Sequence, residues 1–79
     1  MEMGGSYGGV YGDFQWEVEG RILHVFGPRR RLGKLATFEN VNAVNSEQAQ
    51  WSAQAKIDLN LDDLRAILAE RQAALNGDS

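Results

Sequence analysis

Three groups of residues have types and spacing suited to chemistry. The sharpest is a basic run, Arg29-Arg30-Arg31 with Lys34, set between Gly27-Pro28 and Gly33. Arginine presents a planar fork that pairs bidentately with carboxylate or phosphate, so cations grouped on one turn point to an anionic partner. Three roles fit the run. It could contact a nucleic-acid backbone, with Phe26 or Trp51 as stacking platforms. It could anchor the chain on an acidic protein surface. It could also be a solvated loop that keeps a neighbouring strand edge from aggregating. The second group is the lone His24, placed by pattern in a strand beside Glu17 or Gln15. No nucleophile, oxyanion turn or metal set accompanies it, so it reads as a strand histidine rather than a general base. The third is Asp62-Asp63. Paired carboxylates can do acid–base work, but at a helix start they complement the macrodipole. The stretch from Gly27 to Gly33 lacks the Gly-Lys-Ser/Thr end of a phosphate-binding loop. The expectation is a non-enzymatic chain with no cofactor and no metal.

Composition narrows the frame around these residues. The chain has 79 residues, no cysteine, one histidine and a net charge of −3. That length holds one core, and folding buries only about 60–65% of the surface exposed by the unfolded chain. Without cysteine there is no disulfide framework or thiol nucleophile. There is no apolar run near the length of a membrane span and no leader-like start, so the expected location is the cytoplasm. The charge is unevenly spread: −4 over residues 1–20, +5 over 21–34 and −4 over 35–79. An acidic body with one basic island is unlike a uniformly basic nucleic-acid binder.

The elements that must hold these residues follow from periodicity. Five glycines fall within residues 1–12, with Tyr7, Val10 and Tyr11 between them. This density of glycine predicts a flexible arm, preceding a single domain over 13–77. The arm is either frayed or an adhesive segment that docks its tyrosines on a partner or neighbour. Phe14, Trp16 and Val18 alternate with Gln15, Glu17 and Glu19, which predicts a half-buried strand. Glu19-Gly20 then predicts a hairpin turn into a strand over 21–26, pairing Trp16 with Leu23 and Phe14 with Val25. One face becomes Phe14, Trp16, Val18, Leu23 and Val25. The other mixes Gln15, Glu17, Ile22, His24 and Phe26, and a turn one residue longer exchanges the second strand's faces. Gly27-Pro28 stops that strand, and a third is expected over 34–41.

Residues 50–59 set period against propensity. Trp51, Ala53, Ala55, Ile57 and Leu59 alternate with polar residues, the period of a strand, whereas Ala, Gln and Lys favour a helix that Ser46 could cap. The period is preferred, so a fourth strand is expected here. The last element is a helix capped by Asn60, with Leu59 and Leu64 as its hydrophobic staple and Gly77 as its stop. Its stripe is Leu61, Leu64, Ile67, Leu68 and Leu75. Ala66, Ala69 and Ala73 lie away from that stripe. They are either plain helix formers or a close-approach surface for a dimer or another helix. This order of strands and one helix resembles that of the single-stranded-DNA-binding transcriptional coactivators, with Lys56-Ile57-Asp58-Leu59-Asn60-Leu61 as the last strand running into the helix. The resemblance implies the architecture alone.

The expected fold is therefore α+β: a three- or four-stranded antiparallel meander followed by one C-terminal helix packed on the sheet. One helix leaves the mixed face of the sheet uncovered. A protein partner or a second copy would take its apolar groups out of water. The expected function is a small protein-binding module, an inhibitor or adaptor, with Arg29, Arg30, Arg31, Lys34, Phe26, Ile22 and Glu17 as the binding residues. Small, acidic, cysteine-free domains of this kind are common among phage and mobile-element accessory proteins, including anti-CRISPR inhibitors. The alternatives are a single-stranded nucleic-acid binder using the basic turn and a structural subunit of a larger assembly.

Overall fold

The computed structural model describes residues 6–29 and 32–77. The strands β1 (Ser6–Tyr11), β2 (Phe14–Glu19), β3 (Ile22–Phe26) and β4 (Lys34–Phe38) form one antiparallel sheet in that order. Two helices follow, α1 (Ser46–Leu59) and α2 (Leu61–Gly77). The expected α+β class and antiparallel meander are present, with two C-terminal helices rather than one.

The covered face of β2 and β3 is the expected one: Phe14, Trp16, Val18, Leu23 and Val25 are all buried. Their pairing is two residues away from expectation. Trp16 lies opposite Val25 and Val18 opposite Leu23, because the turn is Gly20-Arg21 and not Glu19-Gly20. Gly20 has φ +65°, and glycine at the first central position suits a type II′ turn. A register change of two residues keeps every side chain on its face. Between β3 and β4 the register shifts at Val25/Phe26, leaving Leu35 unpaired and buried in the core.

Residues 6–11 are not part of an arm. They are β1, paired along their whole length with β2 through the turn Gly12-Asp13, where Gly12 has φ +62°. Tyr7, Gly9 and Tyr11 share the covered face, so the alternation was hidden by a glycine at its middle position. That glycine is required. A Cβ on Gly9 would stand 2.9 Å from the Trp16 ring, which lies where a side chain would otherwise be. The Tyr11 hydroxyl donates to the Asp58 carboxylate at 2.9 and 3.0 Å and ties the end of β1 to α1. Residues 1–5 of the expected arm lie outside the described residues.

The stretch read as a fourth strand is α1. Asn45 caps it: its side-chain oxygen accepts from the Gln48 amide at 2.8 Å, while Gln48 Oε1 accepts from the Val44 amide at 2.9 Å. This reciprocal pair resembles a capping box. The buried residues are Ala49, Ala53 and Ile57, one position every four. That stripe underlies the period of two in the sequence, and alanine lets the helix approach the sheet closely. Trp51 falls outside the stripe and is exposed. The chain then bends at Asn60, whose side chain donates to the Lys56 carbonyl at 2.9 Å and whose own carbonyl accepts from Leu64. The likeness to the coactivators rested on a strand over 56–59, which is the last turn of α1. Leu59 is exposed, so no staple to Leu64 forms.

In α2, Leu64 and Leu68 are buried, Leu61 and Ile67 are half-buried, and Leu75 is exposed. Each buried large side chain contributes about 1.5–3 kcal/mol. The helices follow one another across the covered face. Helix α1 lies over β1 and β2, and α2 lies over β4.

Candidate binding face

The uncovered face of the sheet is built by alternation. Residues opposite in register share a face, which gives three cross-strand rows. Ser6, Glu19 and Ile22 form one end, Gly8, Glu17, His24 and Thr37 the middle, and Val10, Gln15, Phe26 and Lys34 the other end. Ile22 is 38% exposed and Val10 70%, while Phe26, Glu17 and His24 are half-buried. The Nδ1 of His24 is buried and makes no hydrogen bond.

The described residues on either side of Arg30 and Arg31 are held from two directions. From the open face, Gln15 Nε2 donates to the Pro28 carbonyl at 3.0 Å. From α2, Arg71 donates to the Leu32 carbonyl at 2.8 Å. The Leu32 amide also donates to the Arg29 carbonyl at 3.0 Å. Gly27 is buried where strand and helix meet, and a Cβ there would come within 2.9 Å of Leu68. Gly27, the Pro28 carbonyl and Arg71 thus hold the segments that flank the run, and Arg29 and Lys34 are exposed to solvent. A groove of about 650 Å³ runs from Arg29 past Leu32 to Gln72 and Leu75.

The expected site residues divide by position. Phe26 lies directly opposite Lys34 at one end of the face, while Arg29 lines the groove beside Leu32, Gln72 and Leu75 of α2. Ile22 is at the far end, four residues or about 13 Å along the strand. Glu17 lies between them beside His24. Arg30 and Arg31 lie outside the described residues. Ala66, Ala69 and Ala73 are all exposed on α2, on the covered side of the sheet and away from the binding face. Trp51 does not join Phe26 as a stacking platform: it is 71% exposed on α1, on the opposite side of the sheet.

Of the exposed large apolar residues, Val10 stands in a strand where a flexible arm is expected, and Trp51 and Leu59 stand outside where the apolar side of a strand is expected. The signal for Trp51 was Asn45-x-x-Gln48, the cap of the helix that turns it outward. Among the described residues, no group of three or more His, Asp or Glu side chains is placed to hold a metal, and no helix is long and apolar enough to cross a membrane. Comparison with family models, curated proteins and solved structures gives no match for this chain.

Proposed function

We propose that this chain is a non-enzymatic protein-binding module whose docking surface is the open face of the sheet, with Arg29 and Lys34 as its charged rim. One observation carries the reading. Both helices pack on one face, and the other carries the exposed apolar side chains of Ile22 and Val10. A solvated sheet face ordinarily carries polar residues, and here exposed apolar side chains stand at its two ends with Glu17, His24 and Thr37 between them. The rim cations suit a partner with an acidic border around an apolar patch. Such a module acts by occupying its partner's surface, as an accessory inhibitor of the anti-CRISPR kind or as an adaptor.

The test is affinity capture from the native host with wild type, Ile22→Asp and Arg29→Ala/Lys34→Ala. All three are compared as folded proteins by circular dichroism. The expected result is one protein retained by wild type and weakened at least tenfold by each variant. Equal capture by all three overturns the proposal.

A second reading is favoured by the placing of Phe26 opposite Lys34 on the open face, an aromatic residue in register with a cation. This combination can stack and neutralise single-stranded nucleic acid. It predicts oligonucleotide binding that falls steeply with salt and weakens in Arg29→Ala/Lys34→Ala. No change in fluorescence anisotropy of a labelled oligonucleotide at low salt sinks it.

A further inference from the structure

The two edges of the sheet are not alike. The β4 edge is interrupted by the bulge at Leu35 and carries the exposed Lys34, two devices that keep sheet edges from pairing. The β1 edge has neither. Its six residues, Ser6-Tyr7-Gly8-Gly9-Val10-Tyr11, include no charge and no proline, and they pair with β2 without a register shift. Two-residue turns make Tyr11–Phe14 and Glu19–Ile22 hydrogen-bonded pairs, and such pairs alternate along an antiparallel ladder. The amides and carbonyls of Tyr7, Gly9 and Tyr11 therefore turn toward β2. Those of Ser6, Gly8 and Val10 turn outward along the free edge.

We propose that β1 pairs antiparallel with β1 of a second copy about a two-fold axis through Gly8, joining two four-stranded sheets into one of eight. The axis sets Ser6 opposite Val10 of the second copy and Gly8 opposite its own equivalent. All the outward-turned groups of β1 are then matched within the strand itself. A two-fold axis supplies this antiparallel, self-matching partner by symmetry.

Charge permits the approach although each chain carries −3. In this register the nearest facing acids among the described residues, Glu17 and its equivalent, are three strand spacings apart. That is about 14 Å, beyond the Debye length of about 8 Å at physiological salt. The covered side also has room. A groove of about 400 Å³ runs along β1, bounded by Trp16 and by Ser46 and Gln50 of α1. The pairing brings Tyr7 of the second copy opposite Gly9 and beside the Trp16 indole. The Nε1 of that indole is buried and makes no hydrogen bond within one chain.

The experiment is sedimentation equilibrium or light scattering across micromolar concentrations, with circular dichroism as a control for folding. Wild type is expected at twice the 8.8 kDa of one chain. The exposed side chains of Ser6 and Val10 allow a test of register. Ser6→Lys/Val10→Lys and Ser6→Glu/Val10→Glu should each be monomeric, and mixing them should restore the dimer. Val10→Pro removes an outward-turned amide without touching the β2 ladder and should weaken association at least tenfold. A monomeric wild type overturns the proposal. So does a dimer that persists in folded Val10→Pro or in the like-charged variants, since it would use another surface. Either failure leaves the open-face reading standing, because its capture test uses Ile22, Arg29 and Lys34, none of which is in β1.

Discussion

Gly9 and Tyr11 hold the edge strand in place by opposite means, one by lacking a side chain and one by using its polar end. Gly9→Ala puts a Cβ 2.9 Å from the Trp16 ring. It should cost about 1–3 kcal/mol as an overpacked site, read as a lower urea midpoint with a shift in tryptophan emission. The Tyr11 hydroxyl is held above its ordinary value of 10.0, first by donating a hydrogen bond to Asp58, then by desolvation and by the carboxylate's charge. The raised value means that the folded state favours the protonated phenol. Its contribution is full below the ordinary value and is lost as pH rises through the raised one. Thermal melts from about pH 9 upward should therefore show an alkaline loss of stability that is smaller in Tyr11→Phe. An unchanged alkaline limb in that variant contradicts the assignment.

Helix α1 shows how an element's identity is decided. Its alternating apolar residues fit a strand on paper, yet only Ala49, Ala53 and Ile57 are buried. The two assignments predict different mutants. In a strand, Trp51 and Ala53 would share a face and both matter. In the helix, Ala53→Leu overpacks the contact with the sheet and should cost about 1–3 kcal/mol. Trp51→Gln should stay within about 0.5 kcal/mol of wild type, as exposed substitutions do. Asn45→Ala removes the cap and should cost about 1 kcal/mol. Chemical denaturation of the three variants separates the readings. Strands β2 and β3 and helix α2 were legible because a large apolar residue marks each buried position. Strand β1 and helix α1 were not, because their close contacts use Gly9, Ala49 and Ala53, and small residues leave no hydrophobic signal.

Across the whole molecule, the helices lie end to end over one sheet face instead of stacking on each other. The outline is correspondingly long, 46 × 25 × 18 Å with a radius of gyration of 13.2 Å, against about 11–12 Å for a compact chain of this size. This layout leaves the opposite face and the β1 edge without a helix packed on them among the described residues. It also makes β1 part of the core's covering. Deleting residues 1–12 removes the strand that lies over Trp16 and the Tyr11–Asp58 bond. The shortened chain should lose cooperative unfolding and near-ultraviolet circular dichroism. A cooperative melt near the wild-type midpoint would contradict the placement of β1.

The order of residues by itself determined the α+β class, the meander and the inward faces of β2 and β3. These depend on alternation, turn chemistry and helical spacing, which are local. Only the tertiary structure decided that glycines build an edge strand, that α1 is a helix with Trp51 outside, and that Phe26 meets Lys34 across the sheet while Ile22 stands apart. Those outcomes depend on which backbone meets which side chain across the sheet, as Gly9 meets Trp16, and a close approach leaves no pattern in a single segment.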